Sequence, residues 1–340
     1  SELQKMGVTA SYEIDDIGLR RQVIRNLVIG DPERPDLTAD LVEVGNSLNL
    51  GGVGINWVRA SGVRLFGRLQ EGQLSFGELD KFTDPQDDSP LALPDLWLGL
   101  SDAKLRIDSD YGAIGLALNG TGELHDGFSG NIAAISRTLN AGNCRLQNPT
   151  FYGTVAISNR KPHLEGPLRL PSVTCRDPDL GAQKLAAQVS VDLGEDLASW
   201  SGTVGLNGGP FRYADYASRT IEASFDLAGD TEQSSGDIDL TASGLRSPYG
   251  SAERSRIKGP FTLGYGGTAI TGSFAGLPEI RGARANENLL REAGRLSASV
   301  AGTPVGPLAD RFARALQQAG SRFDISSDIR FTKGGGRTTL

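Results

Sequence analysis

The chain is poor in the residues from which thick cores and active sites are made. Aromatics are 6% of 340 residues and there is a single Met, a lean supply for a compact core of this size. There are two histidines, His125 and His163, and two cysteines. A zinc site needs three or four clustered ligands, and no His/Cys spacing supplies them, so no metal and no cofactor are expected. No apolar run approaches the roughly 18 residues that cross a bilayer, and no signal-peptide pattern is visible. The Gly-x-Ser-x-Gly elbow of acyl hydrolases is missing, as is the phosphate loop Gly-x-x-x-x-Gly-Lys-Ser/Thr. The run Gly51-Gly52-Val53-Gly54 has no helix pattern after it. Ser101-x-x-Lys104 has the spacing of a serine–lysine pair, but residues three apart on a regular strand point to opposite faces. The acids of Asp84-Pro85-Gln86-Asp87-Asp88 lack calcium-loop spacing and read as a solvated loop. A net charge of −7 excludes the basic surface that nucleic-acid binding requires. No catalytic residue can be nominated, and the expectation is a protein that is not an enzyme.

What the chain has instead is alternation. Ile221-Glu222-Ala223-Ser224-Phe225-Asp226-Leu227 places apolar residues at every second position, with acids and hydroxyls between. That is a strand with one apolar and one hydrated face. The pattern recurs with Leu164, Leu168 and Leu170, with Val189, Val191 and Leu193, and with Ile238 and Leu240. It returns with Ile257, Phe261 and Leu263. Strands of this kind are also expected over 8–44, 53–79 and 95–124, and regularly from Gly153 to Gly276. Asn119-Gly120 and Asp126-Gly127 are hairpin-turn signals.

Glycine, at 45 residues, punctuates these strands in a recurring form, apolar-x-Gly-x-apolar-x-apolar. It appears around Gly166, Gly202 and Gly259. A longer echo links Ser109-Asp110-Tyr111-Gly112 with Ser247-Pro248-Tyr249-Gly250, a weak internal duplication that suits a sheet lengthened by repeated units. Two segments depart from strand spacing. Asn286 to Val300 and Pro307 to Gly320 carry apolar residues at helical intervals, with Pro307 and Gly320 as punctuation. They read as short amphipathic helices packed on the sheet or capping an apolar channel. The organisation expected is a linker or non-native start at 1–7, a β segment over 8–280, a two-helix insertion or cap over 281–322, and the start of a further β segment at 323–340. The whole reads as a piece of a longer protein. Cys144 and Cys175 are either two separate buried thiols or a disulfide. A bridge closing a loop of about 30 residues contributes roughly 3–4 kcal/mol. A thin sheet gains from such a staple, which favours the bridge and with it an oxidising compartment.

Two stretches together resemble a known family. One runs from Ile17-Gly18-Leu19-Arg20-Arg21-Gln22 through Val28-Ile29-Gly30-Asp31-Pro32-Glu33-Arg34-Pro35-Asp36-Leu37-Thr38-Ala39-Asp40. The other is Leu93-Pro94-Asp95-Leu96-Trp97-Leu98-Gly99-Leu100-Ser101-Asp102-Ala103-Lys104-Leu105-Arg106, running into Asp110-Tyr111-Gly112. The pattern, over roughly residues 8–280, resembles the periplasmic part of YdbH-type proteins of Gram-negative bacteria, in the AsmA-like group to which TamB is related. The resemblance implies an elongated, curved antiparallel β-sheet groove. It implies a protein anchored in the inner membrane through a segment absent from this chain, carrying phospholipid between inner and outer membranes, with an outer-membrane partner possible. It carries over no catalytic residues.

The apolar residues named above (Leu164, Leu168, Leu170, Val189, Val191, Leu193, Ile221, Phe225, Leu227, Ile238, Leu240, Ile257, Phe261 and Leu263) are then the candidate lining for acyl chains. Two rival readings stay open at this point. A structural or adhesive β module, built as a sandwich or solenoid, would seal the same residues inside protein. A carbohydrate-active protein would expose Trp57, Trp97 or Trp200 as stacking platforms beside two carboxylates about 5–10 Å apart.

Overall fold

The computed structural model describes residues 7–18, 20–49, 52–70, 73–82, 93–177, 179–264, 271–318, 323–326, 329–334 and 337–339. The expected acidic loop at 84–90 lies outside them. The protein is mainly β with two short helices near its C-terminal end. It divides into two compact units, one of residues 1–171 and 188–202, the other of 172–187 and 203–340.

In the first unit the strands are β1 (Ala10–Ile17), β2 (Arg21–Asp31), β3 (Arg34–Asn49), β4 (Gly52–Ser61), β5 (Arg64–Gln70), β6 (Gln73–Ser75), β7 (Trp97–Ser109), β8 (Gly112–Glu123), β9 (Phe128–Ser136), β10 (Thr138–Ala141), β11 (Cys144–Gln147), β12 (Thr150–Ser158) and the start of β13 (Lys161–Cys175). Strands β1, β2 and β3 form an antiparallel meander. Both β4 and β5 pair antiparallel with β3 and parallel with β7. The parallel pairs depart from the antiparallel expectation. They need a long connection before β7, which residues 76–96 supply. From β7 the order continues antiparallel through β8, β9, β12 and β13.

Asp102 sits at the centre of this arrangement. Its φ is +52°, and the register of β7 against β8 shifts between Leu100 and Ala103. The extra residue is a β-bulge, and it restores one face to Leu98, Leu100, Ala103, Leu105 and Ile107 despite the odd interval. Gly62, at φ +65°, faces it and donates its N–H to the Ser101 carbonyl at 3.0 Å. Arg64 clasps Asp102 through its carboxylate and, at 2.5 Å, its carbonyl oxygen. Asn119 accepts the Asp102 N–H at 2.6 Å. This corrects two expectations. Asn119-Gly120 is no turn; it lies inside β8, opposite Asn131 and Gly130, because the bulge needs the asparagine carbonyl there. The bulge also turns Ser101 and Lys104 to the same side of β7, where the Lys104 ammonium pairs with Asp102 at 3.0 Å. The second turn signal, Asp126-Gly127, does fall between β8 and β9.

The chain continues through β14 (Leu180–Leu193), β15 (Trp200–Gly208), β16 (Phe211–Tyr213), β17 (Tyr216–Ser218), β18 (Thr220–Gly229), β19 (Gln233–Ser247), β20 (Gly250–Gly264) and β21 (Thr271–Ala285). In the second unit, β18, β19, β20 and β21 are a long-stranded antiparallel meander. After β21 come helices α1 (Glu287–Ser299) and α2 (Gly306–Gln318), within one or two residues of the spans the periodicity predicts. Asn286 caps α1, its side chain accepting the Leu289 N–H at 3.1 Å. The hairpin closes on its own small core of Ala293, Ala313 and Leu316, packed by Leu289 and Leu290. Strands β22 (Phe323–Ser326) and β23 (Ile329–Gly334) then return to pair with β21, and β24 (Arg337–Thr339) follows on β23.

The recurring glycine form has a steric cause. A Cβ on Gly166 would lie 2.2 Å from the Tyr152 carbonyl oxygen, one on Gly202 2.2 Å from that of Ser190, and one on Gly259 2.0 Å from that of Ala275. At each, the backbone of the neighbouring strand comes so close that only glycine fits. The tetrapeptide echo is also one structure used twice. Ser109 Oγ donates to the Gly112 carbonyl (2.7 Å) and accepts the Tyr111 N–H (3.2 Å), and Ser247 does the same with Gly250 (3.1 Å) and Tyr249 (3.2 Å). Cys144 and Cys175 are joined in a disulfide, as favoured.

Candidate functional site

Residues directly opposite one another in a sheet project to the same side, so the pairing register shows which side chains share a surface. In the first unit one row reads Ala10, Ile29, Leu37, Leu65, Leu105, Leu116, Ala134, Phe151, Leu168. It crosses nine strands without a polar member. A second row reads Ile14, Ile24, Val42, Ala60, Leu100, Gly120, Gly130, Val155, Leu164. Along β8, β12 and β13 the two rows sit at even intervals and so share a face. At about 4.8 Å per strand, each extends for roughly 38 Å.

The other side is hydrated. Glu43, Arg59, Gly99, Thr121, Ser129, Ala156 and His163 form one of its rows. His163 Nδ1 lies 2.8 Å from Asp192. Arg59 is flanked by the rings of Trp57 and Trp97, at 5.3 and 4.9 Å. Those two half-buried indoles thus enclose a cation instead of standing out as platforms for a sugar, and Trp200 is half-buried as well.

The second unit repeats the division over β18 to β21. Ala223, Leu240, Ile257 and Pro278 are in register, as are Leu227, Gly236, Phe261 and Phe274, and Phe225 faces Ile238. Between these rows lie Glu222, Thr241, Arg256 and Glu279 on the reverse side, with Ser224, Asp239 and Lys258. Arg256 bonds Asp239 there and holds its carboxyl below the usual carboxylate range.

Of the residues nominated from sequence, the register brings together Leu164 with Val155, Leu168 with Phe151, Phe225 with Ile238, and Leu240 with Ile257. Ile221 faces Ala242, and Leu263 faces Ser234 at the end of its strand. Leu170 lies on β13 at the next alternate position, and Val189, Val191 and Leu193 alternate along β14. The alternation did not reveal that Leu37, Leu65, Leu105, Leu116 and Phe151 belong to the same surface. Their spacing was visible, but their alignment depends on the bulge at Asp102 and the parallel pairing of β5 with β7.

Burial separates an open face from a sealed one. Ile221 is buried, at 8% exposure, whereas Leu263 is 42% exposed. The other nominated residues are half-buried, as is the first long row apart from Ile29. Among the described residues 17 apolar side chains are buried, and eight of them are alanines, far fewer large ones than two packed sheets would enclose. One corner of the first unit is closed, where Leu93, Leu96 and Leu98 pack on Leu124, Phe128 and Ile157.

These features define a class of protein: an amphipathic sheet whose apolar side is a long surface rather than a pocket. The family comparison agrees. The chain belongs to the YdbH-like family, described as intermembrane phospholipid transport protein YdbH, and the match runs over residues 1–340. No curated protein and no solved structure matches it. The work of this family is transport of phospholipid between membranes. No helix among the described residues is long and apolar enough to cross a membrane.

Proposed function

We propose that the apolar rows of each unit are the surface on which phospholipid acyl chains lie during transport. Leu164 and Leu168 would serve in the first unit, and Phe225, Leu227, Ile238, Leu240, Ile257 and Phe261 in the second. Leu170, Val189, Val191, Leu193, Ile221 and Leu263 would extend these surfaces along their strands. A sixteen-carbon tail in water costs about 12 kcal/mol at about 0.8 kcal/mol per methylene, and two tails about twice that. A half-exposed apolar row lowers this cost along the path without a specific headgroup contact. The observation that carries the reading is the nine-strand row with no polar member, left half-exposed by the polypeptide.

The chain works, in this reading, in the periplasm between inner and outer membranes, held to the inner membrane by a segment outside this chain and meeting a partner at the outer one. The disulfide fits such an oxidising compartment. Native mass spectrometry of the purified protein is expected to show bound phospholipid. Phe225→Asp and Leu240→Asp are expected to remove it from the second unit and to stop transport. Lipid-free wild-type protein would sink the proposal.

A further inference from the structure

We propose a second ligand site, for an amphiphilic anion, on the hydrated side of the first unit. A hollow of about 1140 Å³ lies there. Its floor is made of small residues, Ala113, Gly115, Ala117 and Ala133, on the adjacent strands β8 and β9. Larger side chains stand on both sides. Arg64, Lys104 and Arg106 form a cationic wall on β5 and β7, and Arg137 adds a fourth cation across the floor. Among the described residues no Asp or Glu lines the hollow, although the chain as a whole carries a net charge of −7. Four cations gathered in one hollow of an acidic protein mark an anion's place.

Asp102 and Asp108 hold three of these cations from beside the hollow: Arg64 and Lys104 on Asp102, Arg106 on Asp108. Two acids set against four cations leave a surplus of positive charge, and Arg137 has no carboxylate partner among the described residues. The rest of the lining sets Ser136, Thr138, Asn148 and Thr150 beside a group of apolar side chains open to solvent. Phe66, Ile135 and Tyr152 are 41, 51 and 54% exposed, unusual on a side otherwise given to polar residues. A free inorganic anion would not use that apolar group, and a neutral hydrocarbon would not use the cations. The chemistry that satisfies both is a phosphate or carboxylate joined to an apolar portion. Since this hollow is on the reverse of the rows proposed for acyl chains, such a ligand would bind without displacing a tail. It would also give the protein a means of telling anionic from zwitterionic amphiphiles.

The choice of a phospholipid probe rests on the transport reading; the site itself does not. Short-chain dihexanoyl phosphatidylglycerol, dihexanoyl phosphatidylcholine and inorganic phosphate are titrated calorimetrically into the full chain, at low and high salt. Phosphatidylglycerol is expected to bind saturably and at least tenfold more tightly than the other two, and more weakly at high salt. Arg106→Gln/Arg137→Gln, which removes charge, and Ala117→Phe, which fills the floor, are each expected to weaken it at least tenfold while leaving co-purified phospholipid unchanged. Wild-type affinity in the charge variant, or equal binding of phosphatidylcholine, overturns the proposal. So does phosphate binding as tightly as the amphiphile. Failure of the transport reading is distinguishable, since it shows as wild-type protein that purifies without lipid.

Discussion

Leu105 is the central member of the nine-residue row and is the place to break it. Replacing it with Asp puts a carboxylate between Leu65 and Leu116. Leu105 is half-buried, so in the lipid-free protein the new charge keeps most of its water. The expected cost to folding is then only the lost apolar contact, about 1–2 kcal/mol, and far-UV circular dichroism is expected to match wild type. A bound tail changes the balance. Hydrocarbon laid across the row must either strip the carboxylate, at several kcal/mol, or leave it and its two neighbours wet. The second course is cheaper. It withdraws three adjacent row positions, about 10 Å of path or roughly eight methylenes, from an open face that shields somewhat over half of each methylene at about 0.8 kcal/mol apiece. The loss is about 4 kcal/mol, on the order of a thousandfold in occupancy.

The assay is the lipid-bound fraction in native mass spectra, with phosphatidylethanolamine added back to delipidated protein. Leu105→Ala is expected to lose about 1 kcal/mol, a few-fold. Thr121→Asp places the same charge on the opposite side, in the row of Arg59 and Ser129, and is expected to bind like wild type. If Leu105→Asp keeps its lipid while Thr121→Asp loses it, the two sides of the sheet have been assigned the wrong way round.

Three further outcomes follow from the same structure. Cys144→Ser/Cys175→Ser opens a loop of about 30 residues and is expected to lower unfolding free energy by about 3–4 kcal/mol, read as a lower urea midpoint, with reductant producing the same shift in wild type only. Asn286→Ala removes the cap on α1 and is expected to cost about 1 kcal/mol, with earlier hydrogen exchange confined to Leu289 and its neighbours. The carboxyls of Asp102, bonded first by Arg64 and then by Lys104, and of Asp239, bonded by Arg256, are held below the usual range. A folded-state value below the unfolded one adds stability above the ordinary aspartate value of about 3.9. That stability is lost as pH falls through the lowered values, so the melting temperature is expected to be level from pH 8 to 5 and to drop below about 4, less so in Asp239→Asn.

Strand identity was legible because the cause is local: alternation such as Ile221 to Leu227 obliges one side to be apolar whatever it pairs with. Helix identity was legible for the same reason, since Asn286, Leu289 and Ala293 carry both cap and stripe. What pairs with what was not legible, and Asn119-Gly120 shows why. The dipeptide has the composition of a turn, yet its asparagine serves a bulge 17 residues earlier, a non-local demand that outweighs local preference. That bulge also decides the extent of the candidate surface. Without the extra residue at Asp102, Leu98 and Leu100 would project opposite to Leu105 and Ile107, and the rows through β7 would present leucine to both sides. A regular strand would therefore spoil both surfaces at once, the apolar one by interruption and the hydrated one by contamination. Hence Asp102, Gly62, Arg64 and Asn119, none of them apolar, fix where the apolar face lies. Asp102→Leu, which removes the carboxylate that Arg64 and Lys104 pair with and puts a residue compatible with strand but not with left-handed backbone at φ +52°, is expected to impair lipid binding although it adds hydrophobicity.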